Sequence, residues 1–138
     1  MKQTEYEGRL LEWSNFRKSL EVSSDPLQDV IDYYNQFPQV SIHTDPYSKE
    51  TWPDPWELLW NGQYDENTIA LGMAYTLELC DWPCEILLIQ DPTKSHVGIV
   101  IRIDNKFVLN HNYGLIDDAT ALDKCEILNT WYSKDLVK

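Results

Sequence analysis

Apolar residues in the first third of the chain recur at helical intervals. Over residues 4 to 22, Tyr6, Leu10, Trp13, Phe16 or Arg17, and Leu20 make one stripe, while Glu7, Glu12, Lys18 and Glu21 face water. A second helix is predicted from "SSDP", with Ser24 or Asp25 as cap and Pro26 in the first turn. Its buried stripe is Leu27, Val30, Ile31 and Tyr34, and it stops before Pro38. In "VSIHTDPY" the pattern changes to alternation, with Val40, Ile42 and Thr44 on one side, which predicts a short strand ending in an Asp45-Pro46 turn. "TWPDPWELLWNGQY" then predicts a short helix opened by Pro55, capped by Asp54 and closed at Asn61-Gly62.

"YDENTIALGMAYTLEL" predicts the central helix. Asp65 or Asn67 caps it, Ile69, Met73, Ala74 and Leu77 point inward, and Gly72 allows another element to approach closely. After the "DWP" turn, "CEILLIQ" reads as a strand and "DPTKS" as a turn, followed by the hairpin "KSHVGIVIRIDNKFVLNHNYG". In the tail, Leu122, Cys125, Ile127 or Leu128, and Trp131 fit a C-terminal helix better than a strand.

The hairpin register follows from its apolar residues. A two-residue turn at Asp104-Asn105 would set Asn110 and Asn112 opposite apolar residues. A three-residue loop, Asp104 to Lys106, instead pairs Ile103 with Phe107, Ile101 with Leu109 and Val97 with Tyr113. His96 and Asn112 then become diagonal neighbours about 7–8 Å apart at the backbone, within reach of a side-chain hydrogen bond. Asn110 lies about 13 Å from His96 and is the weaker partner. A histidine oriented by an asparagine is the base-plus-orienter half of a cysteine-nucleophile site, whose thiol belongs at a helix start, where the dipole lowers its pKa.

These elements together, "YDENTIALGMAYTLEL", "PCEILLIQ", "SHVGIVIRID" and "KFVLNHN", resemble the transglutaminase-like branch of the papain-like cysteine enzymes over roughly residues 62 to 114. The resemblance implies His96 as the base and Asn112, less readily Asn110, as the third residue, where the family more often has Asp. It places the nucleophilic Cys at Asp65 or Glu66, and the chain has no cysteine there. "DPYSKETWPDPWELLWNGQYDENT" also resembles a segment of small proteins of tailed phages, especially those of marine bacteria, which implies a virion or infected-cell setting.

Composition narrows the function classes. A chain of 138 residues with 43% apolar content fits one domain and buries roughly two-thirds of its unfolded surface, so it needs no disulfide or metal to fold. The formal charge of −12 disfavours direct binding to nucleic acid or anionic membranes. No apolar leader or membrane-spanning run is evident, and an intracellular or particle setting is expected. Cys80, Cys84 and Cys125 read as packing residues. His43 and His111 add possible ligands without a recognisable spacing, so no metal or cofactor is expected. A divalent cation gathered by Asp65, Glu66, His96 and Asn112 is the less favoured reading, because oxygen ligands at such places more often cap a helix or face solvent. Trp52, Trp56 and Trp60 either clamp the two halves together or, where exposed, mark a partner-binding surface.

The sequence therefore predicts one α+β domain with a transglutaminase-like, papain-like core. Residues 1–61 form a helical, Trp-rich front, residues 62–114 the core on an antiparallel sheet, and residues 115–138 a C-terminal helix. His96, Asn112, Asn110 and Asp65 are expected to be vestiges of a catalytic site. The leading functional expectation is a non-catalytic structural or assembly protein of a phage particle that binds other proteins, located in the virion or host cytoplasm. The alternatives are an acyl-transfer or amide-cleaving enzyme with a displaced thiol, and an acidic inhibitor that mimics nucleic acid.

Overall fold

The computed structural model describes residues 2–137. Four helices precede the sheet: α1 (Lys2–Leu20), α2 (Pro26–Asn35), α3 (Pro55–Asn61) and α4 (Glu66–Leu79). The strands are β1 (Glu85–Gln90), β2 (Gly98–Ile103), β3 (Phe107–Leu109), β4 (Asp117–Asp118) and β5 (Glu126–Tyr132), followed by the one-turn α5 (Ser133–Leu136). All neighbouring strands are antiparallel, in the order β4-β3-β2-β1-β5. Among the described residues no helix is long and apolar enough to cross a membrane.

Local chemistry explains the helix ends. Asp54 and Asp65 each complete a capping box, with Glu57 and Thr68 respectively. Gly62 closes α3 at φ +64°, where a side chain is disfavoured. The expected stripe of α2, Leu27, Val30, Ile31 and Tyr34, is buried. Gly72 admits the Tyr34 ring so closely that a Cβ there would lie 2.5 Å from the ring carbon Cε1.

β1 lies between β2 and β5, and both of its faces are covered, which explains its unbroken apolar run. Ile86 and Leu88 join the main core with α4, whereas Leu87 and Ile89 pack with Val100, Val108 and Leu122 in a smaller second cluster. In the main core the Thr76 hydroxyl accepts from Trp13 Nε1 at 2.9 Å, lies 2.8 Å from the Tyr34 hydroxyl and donates to the Gly72 carbonyl at 2.8 Å. One side chain thereby ties α1, α2 and α4 together.

Two predicted elements are corrected. The strand expected over "VSIHTDPY" does not form; a parallel Gln39–Tyr64 bridge just ahead of it is the isolated bridge found among the described residues. Val40 and Ile42 have no sheet face to bury against and stay exposed, while the backbone N–H groups of His43 and Thr44 donate to the Asp65 carboxylate. The C-terminal helix expected over 115–138 is replaced by β4, a 3₁₀ turn at Ala119–Leu122, β5 and the short α5. Pairing with the otherwise open edge of β1 overrides the helical spacing, and the β-favouring Ile127, Thr130, Trp131 and Tyr132 suit an edge strand.

The trio around Thr76 yields a stability prediction. Thr76→Val, which keeps shape but removes the hydroxyl, is expected to strand the buried Trp13 N–H and Tyr34 O–H and cost roughly 2–4 kcal/mol in urea denaturation. Thr76→Ser, which keeps the hydroxyl, is expected to cost only about 1 kcal/mol for the lost methyl.

Candidate functional site

The start of α4 is organised by Asp65. Its carboxylate is fully buried; Oδ1 accepts from Thr68 N at 2.8 Å, and Oδ2 accepts from His43 N and Thr44 N at 3.0 Å each. The exposed His43 ring adds Nδ1 at 3.3 Å from Oδ2. Burial alone would raise the Asp65 pKa, but the hydrogen bonds from Thr68, His43 and Thr44 outweigh it and hold the carboxyl below its usual 3.8. Asn67 is not the cap; its Nδ2 donates to the Thr44 carbonyl at 2.9 Å.

With Asp65 turned inward, the next residue faces the sheet. Glu66 Oε2 lies 3.1 Å from His96 Nε2. Asn110 Nδ2 donates to the Glu66 carbonyl at 3.3 Å and to the Ile99 carbonyl at 3.0 Å. Glu66, His96 and Asn110 share a cavity of about 10 Å³ with Asp91, Lys94 and Gly98, room for roughly one water.

The expected His96–Asn112 dyad is not formed. The three-residue loop and the pairs Ile103–Phe107 and Ile101–Leu109 are present as expected. Beyond Leu109, however, Asn110 adopts φ +67°, a left-handed conformation that Asn tolerates, and β3 ends there. Val97 therefore does not pair with Tyr113. Asn112 turns away, its Nδ2 donating to Asp117 Oδ1 at 3.1 Å. Of the two asparagines, it is Asn110 that joins His96 at the start of α4.

His96 is paired with Glu66 and, among the described residues, hydrogen-bonds no thiol. Cys84 is buried, and burial, with Glu78 beside it, pushes its pKa up to about 12. Burial also raises Cys80. Cys125, however, lies 3.9 Å from His111 Nε2, and the same nitrogen is 3.2 Å from Asp91 Oδ2. This grouping is absent from the sequence reading. It becomes legible once β5 is placed beside β1: Gln90 pairs with Glu126, so one further step sets Asp91 opposite Cys125.

The tryptophans divide by position. Trp52 is buried, with Nε1 donating to the Asp45 carbonyl at 2.8 Å and its ring 4.7 Å from that of Trp131, which removes it from an exposed partner-binding surface. Trp56 and Trp60 are partly exposed and pack edge-on against Trp13 and Tyr6 of α1. Arg9 strengthens that clamp by donating to the Leu59 and Trp60 carbonyls at 2.6 and 3.0 Å.

The chain is an α+β fold of helices packed on a five-stranded antiparallel sheet, with the start of α4 facing His96. No protein-family profile matches the chain, and no curated protein does. Among solved structures, calcium-bound LapG of Legionella pneumophila is similar, with a TM-score of 0.71 at 20% identity over 94% of this chain and 79% of that one. Two further structures of Legionella pneumophila LapG, one of them EGTA-treated, each give a TM-score of 0.69 at 21% identity over 94% of this chain and 77% of that one. The likeness establishes a transglutaminase-like fold.

Asp65 carries a pH prediction. Its folded pKa is below the unfolded value, so its contribution is fully present above pH 3.8 and is lost as pH falls through the lower folded value. Asp65→Asn is expected to cost about 1.5–3 kcal/mol at pH 7, since the buried N–H donors lose a charged acceptor. Urea denaturation at stepwise lower pH should show the gap between wild type and variant narrowing; a gap that widens on acidification would contradict the assignment.

Proposed function

We propose that the chain is a transglutaminase-like module that has no thiol chemistry at the His96 position and acts by binding other proteins, as a structural or assembly component. The observation that carries this is the Glu66 carboxylate, 3.1 Å from His96 and standing where the family resemblance puts the nucleophile. A carboxylate at a helix N-terminus is stabilised by the same dipole that favours a thiolate, yet it is a far weaker nucleophile toward amides. The partly exposed Trp56 and Trp60 and the acidic surface are the features suited to a partner. The phage-like Trp-rich segment supports a particle or an infected cell as the setting.

A second reading is favoured by one observation, Cys125 near His111. It would be a cysteine-type acyl-transfer or amide-cleaving enzyme with a displaced thiol, and the fold suits it equally well. Against it, burial and then the Asp91 charge raise the Cys125 pKa, with Lys94 offsetting only part. Asp91 also faces the same imidazole nitrogen as the thiol, whereas an orienting carboxylate belongs on the opposite one.

Iodoacetamide labelling at pH 7, read residue by residue in a mass spectrometer, separates the readings. The binding-module reading expects Cys80, Cys84 and Cys125 all to react more slowly than a free thiol, and Glu66→Cys to introduce one thiol that outpaces them. A hyper-reactive Cys125 in the wild type would replace this reading with the enzyme one. Purified particles from the native source are expected to hold the chain in fixed stoichiometry; its absence from them would remove the structural role.

A further inference from the structure

Asp91, His111 and Cys125 come from three separate segments at one end of the sheet: the turn after β1, the residue after the left-handed Asn110, and the residue before β5. Their ligand atoms all lie within 4.8 Å of one another. We propose that they form a binding site for a single borderline transition-metal ion of the zinc class, held by one carboxylate, one imidazole and one thiolate. This goes beyond the binding-module reading and stands whether or not that reading holds.

Each donor is held by its own segment. Asp91 Oδ1 accepts from Thr93 N and Oγ1 at 2.8 and 2.7 Å, which leaves Oδ2 turned towards His111. The His111 carbonyl accepts from Lys94 Nζ at 2.7 Å, fixing the loop that carries the ring. Cys125 N donates to the Leu122 carbonyl at 2.9 Å, closing the 3₁₀ turn just ahead of the thiol. The His111 side chain is 8% exposed, and its Nδ1 is buried without a partner. With the proton on Nδ1, the Nε2 lone pair points into the space between carboxylate and thiol.

The three donors are close enough to converge on one tetrahedral ion. Zinc bonds of about 2.0–2.3 Å to O, N and S set the donor atoms roughly 3.3–3.6 Å apart. The carboxylate–imidazole separation of 3.2 Å already matches, the imidazole–thiol separation of 3.9 Å needs a shift of a few tenths of an ångström, and the carboxylate and thiol, within 4.8 Å of each other, close onto the ion by a rotation of the Cys125 side chain. On binding, the thiol proton leaves to solvent as the S–metal bond forms, and the two anionic donors balance a dication. Three protein donors leave a fourth position for water or an incoming ligand atom. The mixed N, O and S set selects against calcium, which takes oxygen donors. The sequence reading expected no metal because the donors have no local spacing; antiparallel pairing supplies it.

Co²⁺ titration of the reduced, metal-free full chain tests the site through the thiolate-to-cobalt charge-transfer band. One equivalent of Co²⁺ is expected to develop the band, Zn²⁺ to bleach it, and excess Ca²⁺ to leave it unchanged. Cys125→Ser should abolish it, Asp91→Asn and His111→Gln should weaken Zn²⁺ affinity at least tenfold, and Cys80→Ser should have no effect. Circular dichroism confirms that each variant is folded, and the near-isosteric Cys125→Ser keeps the test decisive if His111→Gln does not fold. No band in the folded wild type, a band that persists in Cys125→Ser, or displacement by Ca²⁺ would overturn the proposal.

Discussion

The buried carboxylate of Asp65 sets the geometry on which the rest depends. It lies at the N-terminus of α4 with, among the described residues, only the exposed His43 ring as a possible cation beside it, and it is stabilised by backbone N–H groups from both sides of the chain. Those bonds join the 43–44 segment to the first turn of α4, and they fix the phase of the helix. With Asp65 inward, Glu66 faces the sheet and Asn67 reaches back to Thr44. A burial penalty of several kcal/mol is typical for an isolated ion, so the carboxylate is tolerable only because its oxygens accept such bonds. A shift of one residue in the helix start would leave His43 N and Thr44 N without an acceptor and move Glu66 away from His96.

The sheet then gathers chemistry at one end. In antiparallel order the C-terminal ends of β1 and β3 and the N-terminal ends of β2 and β5 fall together, and α4 begins nearby. His96, Asn110, His111, Asp91 and Cys125 are all residues just outside a strand. Leaving the ladder frees each side chain from the in-and-out alternation, so neighbours such as Asn110 and His111 address different groups. Asn110 bonds towards α4, whereas His111 faces Asp91 and Cys125.

Legibility in the sequence followed the range of the interactions. The caps at Asp54 and Asp65, the buried stripe of α2 and the three-residue hairpin loop were readable because the deciding contacts lie within a few residues. Elements set by distant pairing were not. Alternation in "VSIHTDPY" looks like a strand, but no sheet edge is offered to it. In and just before β5 the spacing of Cys125, Leu128 and Trp131 also fits a helix, and only the free edge of β1 decides between them. The site was half readable for the same reason. His96 meets Glu66 at the helix start, but a single left-handed residue, Asn110, diverts the chain so that Asn112 meets Asp117 instead.

The Glu66 carboxylate stands 3.1 Å from His96, where the family resemblance puts a thiol. In both cases an acidic group occupies the positive end of a helix and faces an imidazole carried just ahead of the adjacent strand. A carboxylate satisfies that field permanently near neutral pH, because it needs no neighbouring base to ionise it, whereas a thiol depends on the histidine and the dipole to lose its proton. Substituting one anion for the other therefore leaves the packing of α4 against β2 without electrostatic cause to change. On the proposed reading, this is how a fold built around a nucleophile persists as a binding scaffold: the structural role of the charge survives the loss of the sulfur that made it reactive.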